Sequence, residues 1–149
     1  MADAGYGVSA TQIGQWLGRV ESQLQTIVVA DNPFVTQAAQ HVLLAGGKRL
    51  RPLLVNLGSQ LGNRPVDAQR LIAAALVVEL THVASLYHDD VMDDAEMRRG
   101  MPSANAHFGN SVAILTGDYL FARASSLVAF LGPDFVQRQA DKHAAVLLY

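Results

Sequence analysis

The chain has 149 residues, half of them hydrophobic and 16% charged, with a net charge of -2 and no cysteine. Such a composition belongs to a globular domain or part of one. It excludes disulfides, thiolate metal sites and a cysteine nucleophile, and it argues against a nucleic-acid partner, which needs a basic face. The start, Met1 to Gly5, lacks the basic-then-apolar pattern of a signal peptide. No stretch approaches the roughly 20 uninterrupted apolar residues of a membrane span, so no integral membrane segment is expected and the cytoplasm is the default location.

Helix-period patterning dominates, and the predicted fold class is all-α, a helical bundle. Ser9 or Thr11 can start a first helix with Ile13, Leu17, Val20, Leu24 and Val28 on one face. Asn32-Pro33 caps and opens a second, which runs to about Ala45 and ends at Gly46-Gly47. Pro52 opens a third, closed by Gly62. A long fourth starts near Pro65 or Asp67 and reaches Asp93, and its middle, Leu71 to Leu80, is apolar almost all round. A helix of that kind sits at the centre of a bundle. A basic loop, Met97 to Pro102, follows. Ser103 caps a short helix, a long one covers about Ser111 to Leu131, and a last begins near Asp134 beyond Gly132-Pro133. The apolar run from Ala144 to Tyr149 carries no cap and calls for a partner helix or another chain.

His88-Asp89-Asp90-Val91-Met92-Asp93-Asp94 places four carboxylates at the C-terminal end of the apolar helix. Asp89 and Asp93 fall one turn apart on one face, with Asp90 beside them. Like charges repel there, and the helix dipole disfavours anions at that end. A divalent cation relieves both effects. Mg²⁺ takes one or two carboxylates and completes its shell with water and substrate phosphate oxygens. A solvated acidic helix end is the alternative.

Cations flank this cluster. Arg98 and Arg99 follow in the loop, and Gly47-Lys48-Arg49-Leu50-Arg51 precedes the Pro52 helix start. Arginine forks match phosphate oxygens, glycine permits close backbone approach, and helix N-termini attract anions. Two basic clusters around a carboxylate group point to two anionic substrates, one bridged by metal and one held by cations alone. Glu79-x-x-His82 also fits one quarter of a di-iron site, but that needs a second such pair, which the sequence lacks. His82 as an ordinary core histidine is the other alternative.

Gly46-Gly47-Lys48-Arg49-Leu50-Arg51-Pro52 resembles the basic motif of trans-isoprenyl diphosphate synthases. Glu79-Leu80-Thr81-His82 with Leu86-Tyr87-His88-Asp89-Asp90-Val91-Met92-Asp93 resembles their first aspartate-rich motif. Arg98-Arg99-Gly100 stands at the family spacing, and Gly117-Asp118-Tyr119-Leu120 resembles the start of a further helix segment. The resemblance runs from about Phe34 to Ala124 and implies the N-terminal half of an isoprenoid synthase fold, with the motif on a long central helix. It implies that Lys48, Arg51, His82 and Arg99 bind isopentenyl diphosphate. Asp89 and Asp93 would ligate Mg²⁺ on an allylic prenyl diphosphate, with Asp90 as a third catalytic carboxylate and Arg98 on the same diphosphate. The implied chemistry is ionisation of the allylic C–O bond, attack by the isopentenyl double bond, and loss of a proton.

The family's second aspartate-rich motif is absent. After Asp94 the acidic residues are Glu96, Asp118, Asp134 and Asp141, all scattered. The 149 residues therefore correspond to the N-terminal portion of a polyprenyl synthase domain. The alternative to an active prenyltransferase is a truncated homologue or an association-dependent subunit, which binds diphosphate without turnover alone. A homo-oligomer, or completion by another chain, is expected. In the family, aromatic side chains just upstream of the motif stop product growth. Here those positions, Ala84 and Ser85 with Thr81 a turn deeper, are small, which implies an open tunnel and a medium-to-long product. Tyr87 is expected on the other side of the helix.

Overall fold

The computed structural model describes the backbone of residues 9–146 and the side chains of residues 9–141; the Ala144 to Tyr149 stripe lies outside the described side chains. Helix α1, Ala10–Ile27, begins at Ser9. The Ser9 hydroxyl accepts the Gln12 backbone N–H and the Gln12 side chain accepts the Ser9 N–H, which satisfies two orphan donors reciprocally. Val20, Leu24 and Val28 form its fully buried stripe, while Ile13 and Leu17 remain half-buried. Helix α2, Pro33–Leu44, is capped by Asn32, whose side chain accepts the Phe34 N–H at 2.9 Å. Gly46, with φ 82°, turns the chain after it; Gly47 does not share that conformation.

Helix α3, Leu50–Ser59, starts earlier and ends earlier than the prolines and glycines suggested. Arg49 takes a left-handed backbone, φ 47° and ψ 38°, and turns the chain into the helix. Pro52 falls in the first turn, where a missing N–H costs no hydrogen bond. At the other end the Ser59 hydroxyl donates to the Asn56 carbonyl at 2.7 Å, and Gln60, not Gly62, closes the helix.

Helix α4, Ala68–Met92, is the centre of the bundle and packs most extensively on α6, Asn110–Leu131. Asp67 caps α4 through the Arg70 N–H. The Arg70 guanidinium reaches the Leu131 carbonyl at 2.8 Å and so caps the C-terminus of antiparallel α6. The Tyr87 hydroxyl, fully buried, donates to the Ala38 carbonyl at 2.5 Å and accepts the Val42 N–H at 3.2 Å, pinning α2 to α4. By length and mean apolar composition α4 and α6 both reach the range of a membrane span, although neither carries an uninterrupted apolar run of that length. Their apolar character has a use within the bundle, because the two helices bury it against each other and in the core.

Between them the basic loop is a two-stranded ribbon, β1 Met97–Arg98 and β2 Met101–Pro102. Arg99 at φ 52° and Gly100 at φ 80° form its two-residue turn, the left-handed pair that matches strand twist. Ser103 caps the short helix α5, Ala104–Phe108, and its hydroxyl also donates to the Ala95 carbonyl at 2.5 Å. Gly132, at φ 112°, separates α6 from α7, Pro133–Val146. The all-helical prediction holds apart from this ribbon.

Candidate active site

Asp89 and Asp93 stand on the last turn of α4, with Asp93 as its C-cap residue. The Asp93 N–H donates to the Asp89 carbonyl at 2.8 Å, which keeps the helical spacing between them. Asp90 points elsewhere. It is fully buried, and both its carboxylate oxygens accept from Arg98, Nε at 2.7 Å and Nη2 at 2.6 Å. That bidentate contact, and the field of Asp90, Asp89 and Asp93, raise the Arg98 pKa against the opposing effect of burial. The sequence placed Asp90 with the catalytic carboxylates and Arg98 on the allylic diphosphate. The structure pairs the two, because a buried carboxylate needs a cation and the ribbon delivers Arg98 to it.

Of the three proposed catalytic carboxylates, the other two, Asp89 half-buried and Asp93 exposed, have no ion-pair partner among the described residues. No group of three or more metal-capable side chains converges among those residues. Two open carboxylates are what a small divalent cation takes from a protein when substrate oxygens and water supply the rest. The donor set fits Mg²⁺.

The basic side is organised around Arg49. Of the three cations in the Lys48–Arg51 stretch, this one is not offered to solvent. Its Nε donates to Glu21 at 2.6 Å, its Nη1 to Glu79 at 3.1 Å, and its Nη2 to Glu21 at 3.0 Å and to the Leu43 carbonyl at 3.2 Å. Arg49 and Glu79 are both buried. Arg49 therefore ties α1, α2 and α4 to the N-terminus of α3. Lys48 and Arg51 on either side of it are exposed. The Glu79–Arg49 pair had one visible signal, a lone carboxylate inside an apolar run; nothing marked Glu21.

His82, on α4, lies among these cations. Burial, and then the positive fields of Arg51, Arg99, Arg98 and Arg49, lower its pKa from 6.5 to about 4. Arg99 is held below the usual guanidinium value by burial and by Arg49, Arg98 and Arg51, with Glu79 opposing. Positive fields that lower both His82 and Arg99 mark a place that favours an anion. His82 accordingly gives a pH dependence. Its folded pKa lies below its unfolded one, so the unfolded chain takes up the proton first as pH falls. The stability linked to neutral His82 is intact above about pH 6.5 and is lost as pH falls toward about 4. His82→Gln should flatten that decline, as measured by urea denaturation at about pH 7 and about pH 4.5. An unchanged slope would show that His82 does not carry it.

A cavity of about 680 Å³ runs from this cation cluster along α4. Arg51, His82, Thr81 and Ser85 line one part; Val78, Val128 and Phe135 are among the apolar residues elsewhere in its wall, where Arg138 and Gln139 of α7 also stand. Two of the three proposed length-setting residues, Thr81 and Ser85, face it. Ala84 does not. It is fully buried, and its carbonyl lies 3.1 Å from where a Cβ on Gly117 would stand, against α6. One residue is about 100° on a helix, enough to move Ala84 from the cavity wall into the α4–α6 seam. Tyr87 points toward α2, away from the cavity.

The Polyprenyl synthetase family model matches residues 32–147. The chain belongs to that family. It is 47% identical over 145 residues to a nonaprenyl diphosphate synthase of Mycobacterium tuberculosis, covering 97% of this chain and 43% of that relative. It is 46% identical over 116 residues to heptaprenyl diphosphate synthase component 2 of Geobacillus stearothermophilus, covering 78% of this chain and 36% of the relative. A geranylgeranyl pyrophosphate synthase of Corynebacterium glutamicum, crystallised with calcium and isoprenyl diphosphate, superposes with a TM-score of 0.77 at 42% identity over 93% of this chain and 41% of that one. The chain thus spans less than half the length of these relatives, and within that span its fold is the all-helical one of isoprenoid synthases.

Proposed function

We propose that this chain supplies the diphosphate-binding half of a prenyltransferase that condenses an allylic prenyl diphosphate with isopentenyl diphosphate. The observation that carries the reading is one cavity of mixed lining: Arg51 and His82, the latter in the field of further arginines, at one part of its wall, and a largely apolar wall past Thr81 and Ser85 that also takes in Arg138 and Gln139. An amphiphile with an anionic head and a hydrocarbon tail matches both. Lys48, Arg51, His82 and Arg99 would hold the isopentenyl diphosphate, the Arg side chains through paired N–H groups. Asp89 and Asp93 would hold Mg²⁺, which when bound supplies charge stabilisation to the departing diphosphate. The protein's own part is to keep water from the apolar cavity and to hold His82 neutral, able to donate or accept one hydrogen bond. Names among the relatives run from geranylgeranyl to nonaprenyl; the small residues at the cavity wall favour a medium-to-long product.

Metal binding tests this reading, whether the chain turns over by itself or only with another chain. With two carboxylates, Mg²⁺ should bind weakly alone and tightly with diphosphate as co-ligand. Calorimetric titration of Mg²⁺ with and without an allylic diphosphate analogue reads the difference. Asp89→Ala should remove the diphosphate-dependent part. Equal binding in both conditions would sink the proposal.

A further inference from the structure

Gly46 and Gly47 are neighbours in sequence, and only the first has a backbone reason to be glycine. Gly46 sits at φ 82° and a Cβ on it would meet open space. Gly47 lies outside the left-handed region, so its backbone accepts any L-residue. Its constraint is spatial. A Cβ there would stand 2.8 Å from Arg99 Nη1, 3.3 Å from Arg99 Cζ and 3.0 Å from Arg49 Nη1. Two guanidinium groups converge on the space a side chain would fill.

The two differ in freedom. Arg49 is fixed by Glu21, Glu79 and the Leu43 carbonyl. Its charge is more than offset by those two carboxylates, which is why a second cation tolerates its company. Arg99 has no ion-pair partner among the described residues and is the far end of a flexible side chain on the ribbon turn. Any side chain at position 47 would displace Arg99 and leave Arg49 in place.

We propose that Gly47 is a positioning residue: the side chain it lacks is the seat of the Arg99 guanidinium, which it holds against Arg49, on the side of the cavity that Arg51 and His82 line. The proposal rests on the reading of that cationic side as a diphosphate pocket. Glycine at 47 thereby sets the geometry of an anion contact made by a residue 52 positions later in the chain.

A double-mutant cycle tests it, with inorganic diphosphate as the probe and calorimetry on the full chain. Loss of a charge-assisted contact should weaken binding roughly thirtyfold in Arg99→Gln and about tenfold in Gly47→Ala, where Arg99 is misplaced but present. In the Arg99→Gln background, Gly47→Ala should change affinity by less than about twofold, because its whole effect runs through Arg99. Wild-type affinity in Gly47→Ala, or an equal loss with and without Arg99, would overturn the seat. If instead diphosphate binds no better to wild type than to Arg99→Gln, the pocket reading fails, and the seat is decided without ligand. The crystal structure of Gly47→Ala should then show the Arg99 guanidinium displaced over an unmoved backbone at residues 46–48. A shifted backbone with Arg99 in place would overturn the proposal.

Discussion

Arg49→Met is expected to destabilise the protein by about 3–5 kcal/mol, a large fraction of the roughly 5–15 kcal/mol that holds a domain together. Methionine keeps the stem and removes the charge. The cost comes from what it leaves behind. The Glu79 side chain is only 4% exposed, and Arg49 Nη1 at 3.1 Å is its hydrogen-bond partner. Without it, a carboxylate stays inside the bundle uncompensated. Glu21 fares differently: at 37% exposed it turns to water, so Glu21→Gln should cost under about 1 kcal/mol. The decisive variant is Arg49→Met combined with Glu79→Met, which removes both charges and should recover most of the loss. Urea denaturation of the four proteins measures the cycle. A double variant as unstable as Arg49→Met alone would show that Arg49 acts through its left-handed turn or its bond to Leu43, not through Glu79.

The legible parts of this chain are those where one local rule decides. Ser9, Asn32, Asp67 and Ser103 each cap the helix that follows them, because a short side-chain oxygen before an apolar period has few other uses. The central helix was readable from its all-round apolar middle. Where two rules compete the sequence misleads. Pro52 looks like a helix start, yet the helix begins after Arg49, a left-handed residue whose side chain is tied to Glu21 and Glu79, 28 and 30 positions away. Arg98 and Asp90 were read separately, and no local rule announces their pairing, which the turn after α4 and the first strand of the ribbon bring about. The ribbon was hidden for the same reason, since two residues per strand carry no alternation to detect. Gly47 and Arg99 show the limit most clearly. Both stand in motifs of known meaning, and nothing in either motif says that one makes room for the other.

Ser85→Phe, in an active assembly containing this chain, is expected to shorten the product. Ser85 stands one turn before Asp89 and faces the cavity. Its hydroxyl donates back to the His82 carbonyl at 2.8 Å, so the small side chain lies against its own helix and leaves the space beyond it open. In the proposed reaction, a hydrocarbon tail anchored by a diphosphate near Asp89 would pass that point. A phenyl ring there fills the passage close to the anchor, and the tail stops after few additions. Thr81, one turn deeper and also in the wall, should act more weakly, since a ring placed there blocks only longer tails. Ala84→Phe separates this mechanism from mere crowding. Ala84 is fully buried against α6, opposite Gly117, so a ring there overpacks the core and costs about 1–3 kcal/mol or more without entering the cavity. The expected pattern is a shorter product and near-normal stability in Ser85→Phe, and an unstable protein with unaltered product length in Ala84→Phe. Chromatography of the extracted prenyl products, with thermal melting of the same samples, reads both. An unchanged product distribution in a well-folded Ser85→Phe would show that the tail takes another path.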